Sequence, residues 1–270
     1  LLAEERRQHI LQLLEKERRV IAKDLAELFH ISIDSVRRDL TIMEDQGLLQ
    51  KTYGGAIPAA AHPKVRNFPL PQALRYGDGA PHQNAISKLA ATYIQKNDTV
   101  FIGGAGIHYG MLKYLPHDMP FTVVTNSLKI AESIRERVNV EAYLIGGKLR
   151  PSSGNMIDSI ALEMIGKFTL DVSFITGGGI SASGISTATP EGAAFTRALA
   201  ESSRKKIGLA PHEKLGLKMF AMSIPIEQLD LLITDRESPE KIVRDIESRK
   251  VKVIVAGEEE PIGGNQHEVD

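Results

Sequence analysis

The chain has 270 residues, 42% hydrophobic and 25% charged, with a formal net charge of −1; this is the balance of an ordinary globular protein and gives no bulk attraction to nucleic acid. It contains no cysteine, which excludes disulfides and thiolate metal or redox sites. No apolar run is long enough to cross a bilayer and the charged start LLAEERRQHI lacks a signal-peptide core, so the expected location is the cytoplasm, with room for two domains.

In residues 1–57, Ile10, Leu13 and Leu14 make an apolar stripe at helical spacing and predict a first helix from Glu4 to Glu17. Val20 and Ile21 form a short extended link. A second helix is expected from Lys23 to Phe29 with Leu25, Leu28 and Phe29 inward, followed by a turn at His30-Ile31. Ser32 is placed to cap the N-terminus of a third helix. In it, Ile33, Val36, Leu40 and Met43 recur at steps that put them on one face. Asp34, Arg38 and Thr41 then point away, flanked by Ser35 and Arg37. Gly47 is expected to end this helix in a left-handed cap. Leu48 to Thr52, Gly54-Gly55 and Ala56-Ile57 read as a small hairpin.

That order is a helix-turn-helix with a wing, whose third helix is suited to the DNA major groove. The first 58 residues carry nine Lys/Arg against ten Asp/Glu, so binding must rest on where charge sits. The expected DNA-contacting set is Ser32, Asp34, Ser35, Arg37, Arg38 and Thr41, with Lys51 and Tyr53 from the wing. Arg fits guanine edges or phosphates, and short hydroxyls fit phosphates. Arg6, Arg7, Arg18 and Arg19 could reach phosphates from the first helix. The competing reading is a helical packing or protein-interaction module with solvated arginines.

Residues 58–83 hold five prolines and little apolar periodicity. Prolines favour extended chain, and the segment reads as a connector. Residues 84–256 then alternate strands with helices: strands at 99–102, 121–125, 140–145, 172–176, 206–210, 231–234 and 251–255, with helices between most of them. This predicts a mostly parallel α/β sheet with right-handed crossovers. Residues 257–270 read as an acidic tail.

Most of these strands run into small or polar residues, which gather at the carboxyl edge of a parallel sheet, where ligands bind. The candidate effector contacts are Gly103, Gly104, Ala105 and Gly106 after the first strand and Asn126 and Ser127 after the second. Gly147, Lys148 and Arg150 follow the third, Gly178 the fourth and Lys214 the fifth. Clustered N–H groups and these cations favour a small anion. Glu191 opens a helix, where the dipole alone favours a carboxylate; a pocket role is the alternative. His108, His117 and His212 lack metal-ligand spacing, and no metal or cofactor is expected.

The segment ISIDSVRRDLTIMEDQGLLQKTYGGA resembles the signature of the DeoR family of bacterial transcriptional regulators, with Gln50 and Tyr53 where that family often has a basic residue and a histidine. FTVVTNSLKIAESI, LIGGKLRPSSG, DVSFITGGGISASGIST and the run ending in Lys214-Leu215-Gly216 are similar to its effector domain. The resemblance implies a ribose-5-phosphate-isomerase-like fold, a double-stranded DNA operator as partner, a phosphorylated sugar or related small anionic metabolite as effector, repression of carbohydrate-metabolism genes, and a homo-oligomer, dimer or tetramer. Gly103, Gly178 and Pro211 stand where the family commonly has Asp. An isomerase needs a positioned general base, so these losses argue against the alternative of a sugar-phosphate isomerase with an accessory helical domain. They also leave fewer acceptors for sugar hydroxyls, so the effector is expected to differ from an ordinary sugar phosphate or to sit differently.

Overall fold

The computed structural model describes residues 3–45, 48–58, 65 and 75–257. The cap expected at Gly47, most of the connector and the tail beyond Gly257 lie outside the described residues.

Three helices and three strands open the chain: α1 (Ala3–Glu17), β1 (Val20–Ile21), α2 (Ala22–Phe29), α3 (Ile33–Asp45), β2 (Leu49–Thr52) and β3 (Gly55–Pro58). Ser32 does cap α3: its Oγ accepts from the Ser35 amide at 3.2 Å. His30 takes the left-handed conformation that ends α2 and accomplishes the turn. Ile10, Leu14, Leu25, Phe29, Val36, Leu40 and Met43 close a small core. Two residues expected inward are not: Leu28 is 57% and Ile33 37% exposed. The core is too small to reach the outer edge of α2 or the first turn of α3.

The link at Val20-Ile21 is a strand of the wing. The sheet order is β1-β3-β2, with Val20 opposite Ala56 and Leu49 opposite Pro58. Gly55 makes this possible: a Cβ there would lie 1.9 Å from the Val20 carbonyl oxygen, closer than any side chain tolerates.

The remaining chain runs α4 (Pro81–Ala91), β4 (Thr99–Phe101), α5 (Gly106–Met111), β5 (Phe121–Thr125), α6 (Leu128–Ile134), β6 (Val140–Leu144), α7 (Ser159–Ile165), β7 (Leu170–Ile175), β8 (Gly179–Ser181), β9 (Gly184–Thr187), α8 (Pro190–Glu201), β10 (Ser203–Ala210), β11 (Ala221–Ile224), β12 (Leu231–Asp235), α9 (Glu240–Glu247) and β13 (Lys252–Ala256). Seven strands form one sheet in the order β13-β12-β10-β7-β4-β5-β6, every neighbouring pair parallel. Successive strand residues alternate between two cores. Val100, Ile102, Phe174 and Ile233 pack with residues of α4, α5 and α6, whereas Phe101, Val124 and Leu232 pack with residues of α7, α8 and α9. The result is a helix–sheet–helix sandwich with the apolar strands buried on both faces.

A small antiparallel sheet, β11-β9-β8, has no counterpart in the predicted elements. Its strands are short and rich in Gly and Ser, so they lack the apolar run that marks the central ones. Helix α7 was equally hidden; it is one seven-residue element, started by Asp158, whose carboxylate accepts from the Ala161 amide at 3.3 Å.

Candidate functional site

On the N-terminal module Asp34, Arg37, Arg38 and Thr41 are exposed along α3 and Ser35 is partly so. Lys51 of β2 donates to the Thr41 hydroxyl at 2.8 Å, and the Lys51 amide donates to Glu44 at 2.8 Å. These bonds fasten the wing to the helix, so that Arg37, Arg38, Thr41 and Lys51 form one rigid polar face. Asp34 lies 3.3 Å from the Arg37 guanidinium, and Tyr53 stands fully exposed at the tip of the wing. Arg18 and Arg19 are exposed.

Arg6 and Arg7 behave differently from expectation. Their guanidinium Nε atoms lie 2.7 and 3.9 Å from the carboxylate oxygens of Asp39, and Asp39 is 4% exposed. A buried carboxylate must be paired, so these arginines hold α1 against α3 and are committed to the module's interior.

At the carboxyl edge of the parallel sheet lies a cavity of about 160 Å³. Gly103, Gly104 and Ala105 after β4, and Asn126 after β5, form one side. Arg150, Ser153 and Asn155 reach it from the long loop after β6, and Thr189 and Gly192 from the start of α8. Thr189 caps α8 by accepting from the Gly192 amide at 3.2 Å. The lining, which includes no carboxylate, thus presents a helix N-terminus and a guanidinium, both suited to an anion.

His108 of α5 also lines the cavity. Among the described residues, no group meets hydrogen-bond geometry at either ring nitrogen of His108 or at Oδ1 of Asn155, although all three atoms are buried and the Gly103 backbone lies near enough to act on the ring. Such atoms cost free energy unless something satisfies them. Gly104 cannot be larger: a Cβ would sit 2.0 Å from Asn155 Oδ1 and 2.7 Å from Ser127 Oγ. Its carbonyl accepts from Arg75 Nη1 at 3.2 Å and from the Tyr76 hydroxyl at 2.9 Å, and Arg75 also donates to the carbonyls of Ser152 and Ser153. The end of the connector is therefore bonded to the loops that line the cavity. Further back, the Val65 carbonyl accepts from the Phe220 amide at 2.7 Å.

Of the effector residues expected from sequence, the cavity gathers Gly103, Gly104, Ala105, Asn126 and Arg150. The others do not line it. Ser127 is buried as the N-cap of α6, accepting from the Ile130 amide. Gly147 has a φ of 135° and abuts Asp158, where a Cβ would meet the carboxylate at 2.2 Å; it serves the turn. Gly106 lies beneath the backbone of Arg75. Lys148 and Glu191 are exposed. Lys214 sits in a short 3-10 turn, His212–Lys214, outside the lining but close enough for its charge to act on His108. Burial lowers the Lys214 pKa, with Arg75 adding to the shift and Glu213 opposing it.

Residues 80–236 match the family model of the DeoR C-terminal sensor domain, and residues 6–60 match that of the DeoR-like helix-turn-helix domain. The chain belongs to the DeoR family of transcriptional regulators. Among curated relatives, the HTH-type transcriptional repressor GlcR of Bacillus subtilis is 30% identical over 95% of this chain and 98% of its own length. The HTH-type transcriptional regulator GolR of Listeria innocua is 25% identical over 93% of this chain and 98% of its own. Among solved structures, ribose 5-phosphate isomerase A from Neisseria gonorrhoeae aligns with a TM-score of 0.35 and 13% identity, covering 49% of this chain and 52% of that one.

A Cβ at Gly103 would lie 3.1 Å from His108 Nδ1, and one at Gly178 would lie 2.9 Å from Met219 Cγ. A side chain at either glycine would therefore press on the His108 ring or the Met219 side chain. After Pro211, the His212 amide is bonded to Asp235 at 2.8 Å.

The setting of His108 has a pH consequence. Burial, reinforced by the Lys214 charge, lowers its pKa from 6.5 to about 3. Between these values the unfolded chain binds a proton that the folded chain refuses. The resulting stability is complete above pH 6.5 and is lost as pH falls towards 3, by at most about 1.4 kcal/mol per unit. Urea unfolding of wild type and His108→Leu at pH 7 and pH 5 reads this directly. Wild type should lose up to about 2 kcal/mol more than the variant; equal losses would mean that the ring titrates as it does in water.

Proposed function

We propose that this chain is a sequence-specific repressor that reads a double-stranded operator through α3 and its wing and is released or retained by a small anionic metabolite bound at the sheet edge. The DNA contacts in this reading are Ser32, Asp34, Ser35, Arg37, Arg38, Thr41, Lys51 and Tyr53. The observation that carries it is the Lys51–Thr41 bond at 2.8 Å, which joins wing and helix into one docking face. Repression is supported by the name of GlcR, and a carbohydrate setting by that of another relative, the lactose phosphotransferase system repressor of Staphylococcus aureus, 27% identical over 88% of this chain.

For the effector, Arg150, the start of α8 and the nearby Lys214 favour phosphate or carboxylate, while His108, Asn126 and Asn155 supply hydrogen bonds without a negative charge. Without carboxylates in the lining, an isomerase would have to use His108 as its base, and burial keeps that ring weakly basic, which supports a sensor over an isomerase. The proposed division is residues 1–57 for DNA, 58–83 as connector, 84–256 as sensor and 257–270 as tail. Assembly as a dimer or tetramer is supported by edge strand β6 and its surroundings, where Tyr143, Leu144, Leu149 and Val138 are 41–105% exposed. Two modules would then match two half-sites. A DNA partner supports a cytoplasmic site of action; among the described residues no helix is long and apolar enough to cross a membrane.

Arg38→Ala should weaken operator binding by roughly 10- to 100-fold and leave effector binding unchanged. Gel shifts on an operator selected from a random DNA pool, with titration calorimetry for the effector, measure both. Unaltered operator affinity would remove α3 from the interface. Turnover of a sugar phosphate by the full chain would instead revive the isomerase.

A further inference from the structure

A second cluster lies beside the cavity. His82 and Gln83 open α4, His212 and Glu213 belong to the turn after β10, and Asp235 ends β12. These segments are far apart in sequence: His82 and Glu213 are separated by 131 positions. Four atoms converge here, one each from His82, His212, Glu213 and Asp235, all within 4.8 Å of one another. His82 Nε2 is 3.2 Å from Glu213 Oε2, His212 Nδ1 is 3.7 Å from the same oxygen, and His212 Nδ1 is 2.9 Å from Asp235 Oδ1.

These are the separations of a metal shell. Tetrahedral zinc, with bonds of 2.0–2.2 Å to imidazole nitrogen and carboxylate oxygen, holds neighbouring ligand atoms about 3.4 Å apart. The surrounding groups orient the four side chains as an outer shell does. Gln83 donates to the other oxygen of Glu213 at 2.8 Å. The His212 amide donates to the second oxygen of Asp235 at 2.8 Å. Glu237 lies 3.6 Å from His212 Nε2, a negative charge on the far side of the ring, so an ion would take the place of the Nδ1 proton now shared with Asp235 at 2.9 Å. Asp235 is 2% exposed, so its charge has few competing partners in water.

We propose that His82, His212, Glu213 and Asp235 form a binding site for one divalent transition-metal ion of the zinc class. Two imidazoles with two carboxylates select such an ion over magnesium or calcium, which prefer all-oxygen shells. The site stands apart from the cavity lining and does not depend on what the cavity binds. The ion would tie the start of α4 to the turn that carries Lys214. Since α4 follows the connector residues bonded to Gly104, it would stiffen the join between the connector and the sheet edge.

The test uses the full chain, stripped with chelator and titrated with zinc chloride, with magnesium and calcium chloride in parallel. One saturable zinc site per chain is expected, at least 10-fold tighter than either alkaline-earth ion. X-ray absorption at the zinc edge should show two imidazole ligands. His82→Ala and Glu213→Gln, whose side chains are 21% and 42% exposed, should each lose at least 10-fold in zinc affinity, while His117→Ala does not. Circular dichroism checks that the variants fold, and the absorption spectrum of the wild type decides independently of them. Zinc binding no tighter than magnesium, a spectrum without two imidazoles, or wild-type affinity in folded His82→Ala and Glu213→Gln would overturn the proposal.

Discussion

Leu40→Ala should unfold the DNA-binding module and abolish operator binding while the sensor stays folded. Leu40 is 2% exposed and sits on the inner face of α3, packed among Ile10, Leu25, Val36 and Met43. Removing a buried leucine side chain costs about 3 kcal/mol, from lost burial and the cavity left behind. A module of this size has a total stability of only roughly 3–8 kcal/mol, and small folds bury a smaller share of their surface. The expected result is loss of the module's own melting transition in calorimetry and no gel shift at concentrations that saturate wild type. Effector titration of the same protein should be unaltered. Operator affinity within twofold of wild type would mean that α3 is not held by this core.

Phe174→Ala should do the converse. Phe174 is fully buried in β7, which lies between β4 and β10 in the middle of the sheet. Its ring packs in the core under α4, α5 and α6, and it also lines the cavity. A central strand is clamped on both edges and cannot move in to fill the space, so the cost should be near the upper part of the range, about 4 kcal/mol. For a domain of this size that corresponds to a fall in Tm of about 10 °C. Effector affinity should fall as well, because the floor of the cavity is lost. A thermal scan in which the sensor transition moves by less than about 3 °C would contradict the packing described for β7.

The two ends of the molecule were legible for the same reason: local pattern and local environment agree. Val36, Leu40 and Met43 announce the inner face of α3, Ser32 its start and Gly54-Gly55 the hairpin, whereas the pairing of Val20-Ile21 with Gly55-Ala56 goes unread because two residues make no strand pattern. The inner strands of the large sheet, such as β7 and β12, carry apolar runs because both faces are covered, whereas edge strand β6 is largely exposed. What sequence hides are pairings between residues that look solvated in isolation. Asp39 reads as a surface acid of a helix until Arg6 and Arg7 are folded onto it. His108 and Asn155 come from a helix and a loop 47 positions apart, and neither carries a motif. His212 was visible as a possible ligand, but in the company of His108 and His117. Its neighbours in space are His82, Glu213 and Asp235, and His117 lies instead beside Arg137 at 3.3 Å. Lys148 and Glu191 fail for the opposite reason: a polar residue near a strand end can as well face water.

The bond from the Val65 carbonyl to the Phe220 amide limits how the protein can search for its target. Six residues lie between Val65 and Pro58, the last residue of the wing, and the seven peptide steps span at most about 25 Å when fully drawn out. While that bond holds, the last residue of the wing stays within that reach of Phe220, next in sequence to Met219, whose side chain abuts Gly178. In the proposed dimer, a change of shape in that loop would alter the spacing at which two heads can straddle adjacent turns of the duplex, about 34 Å apart. Control of transcription then becomes a question of calliper width.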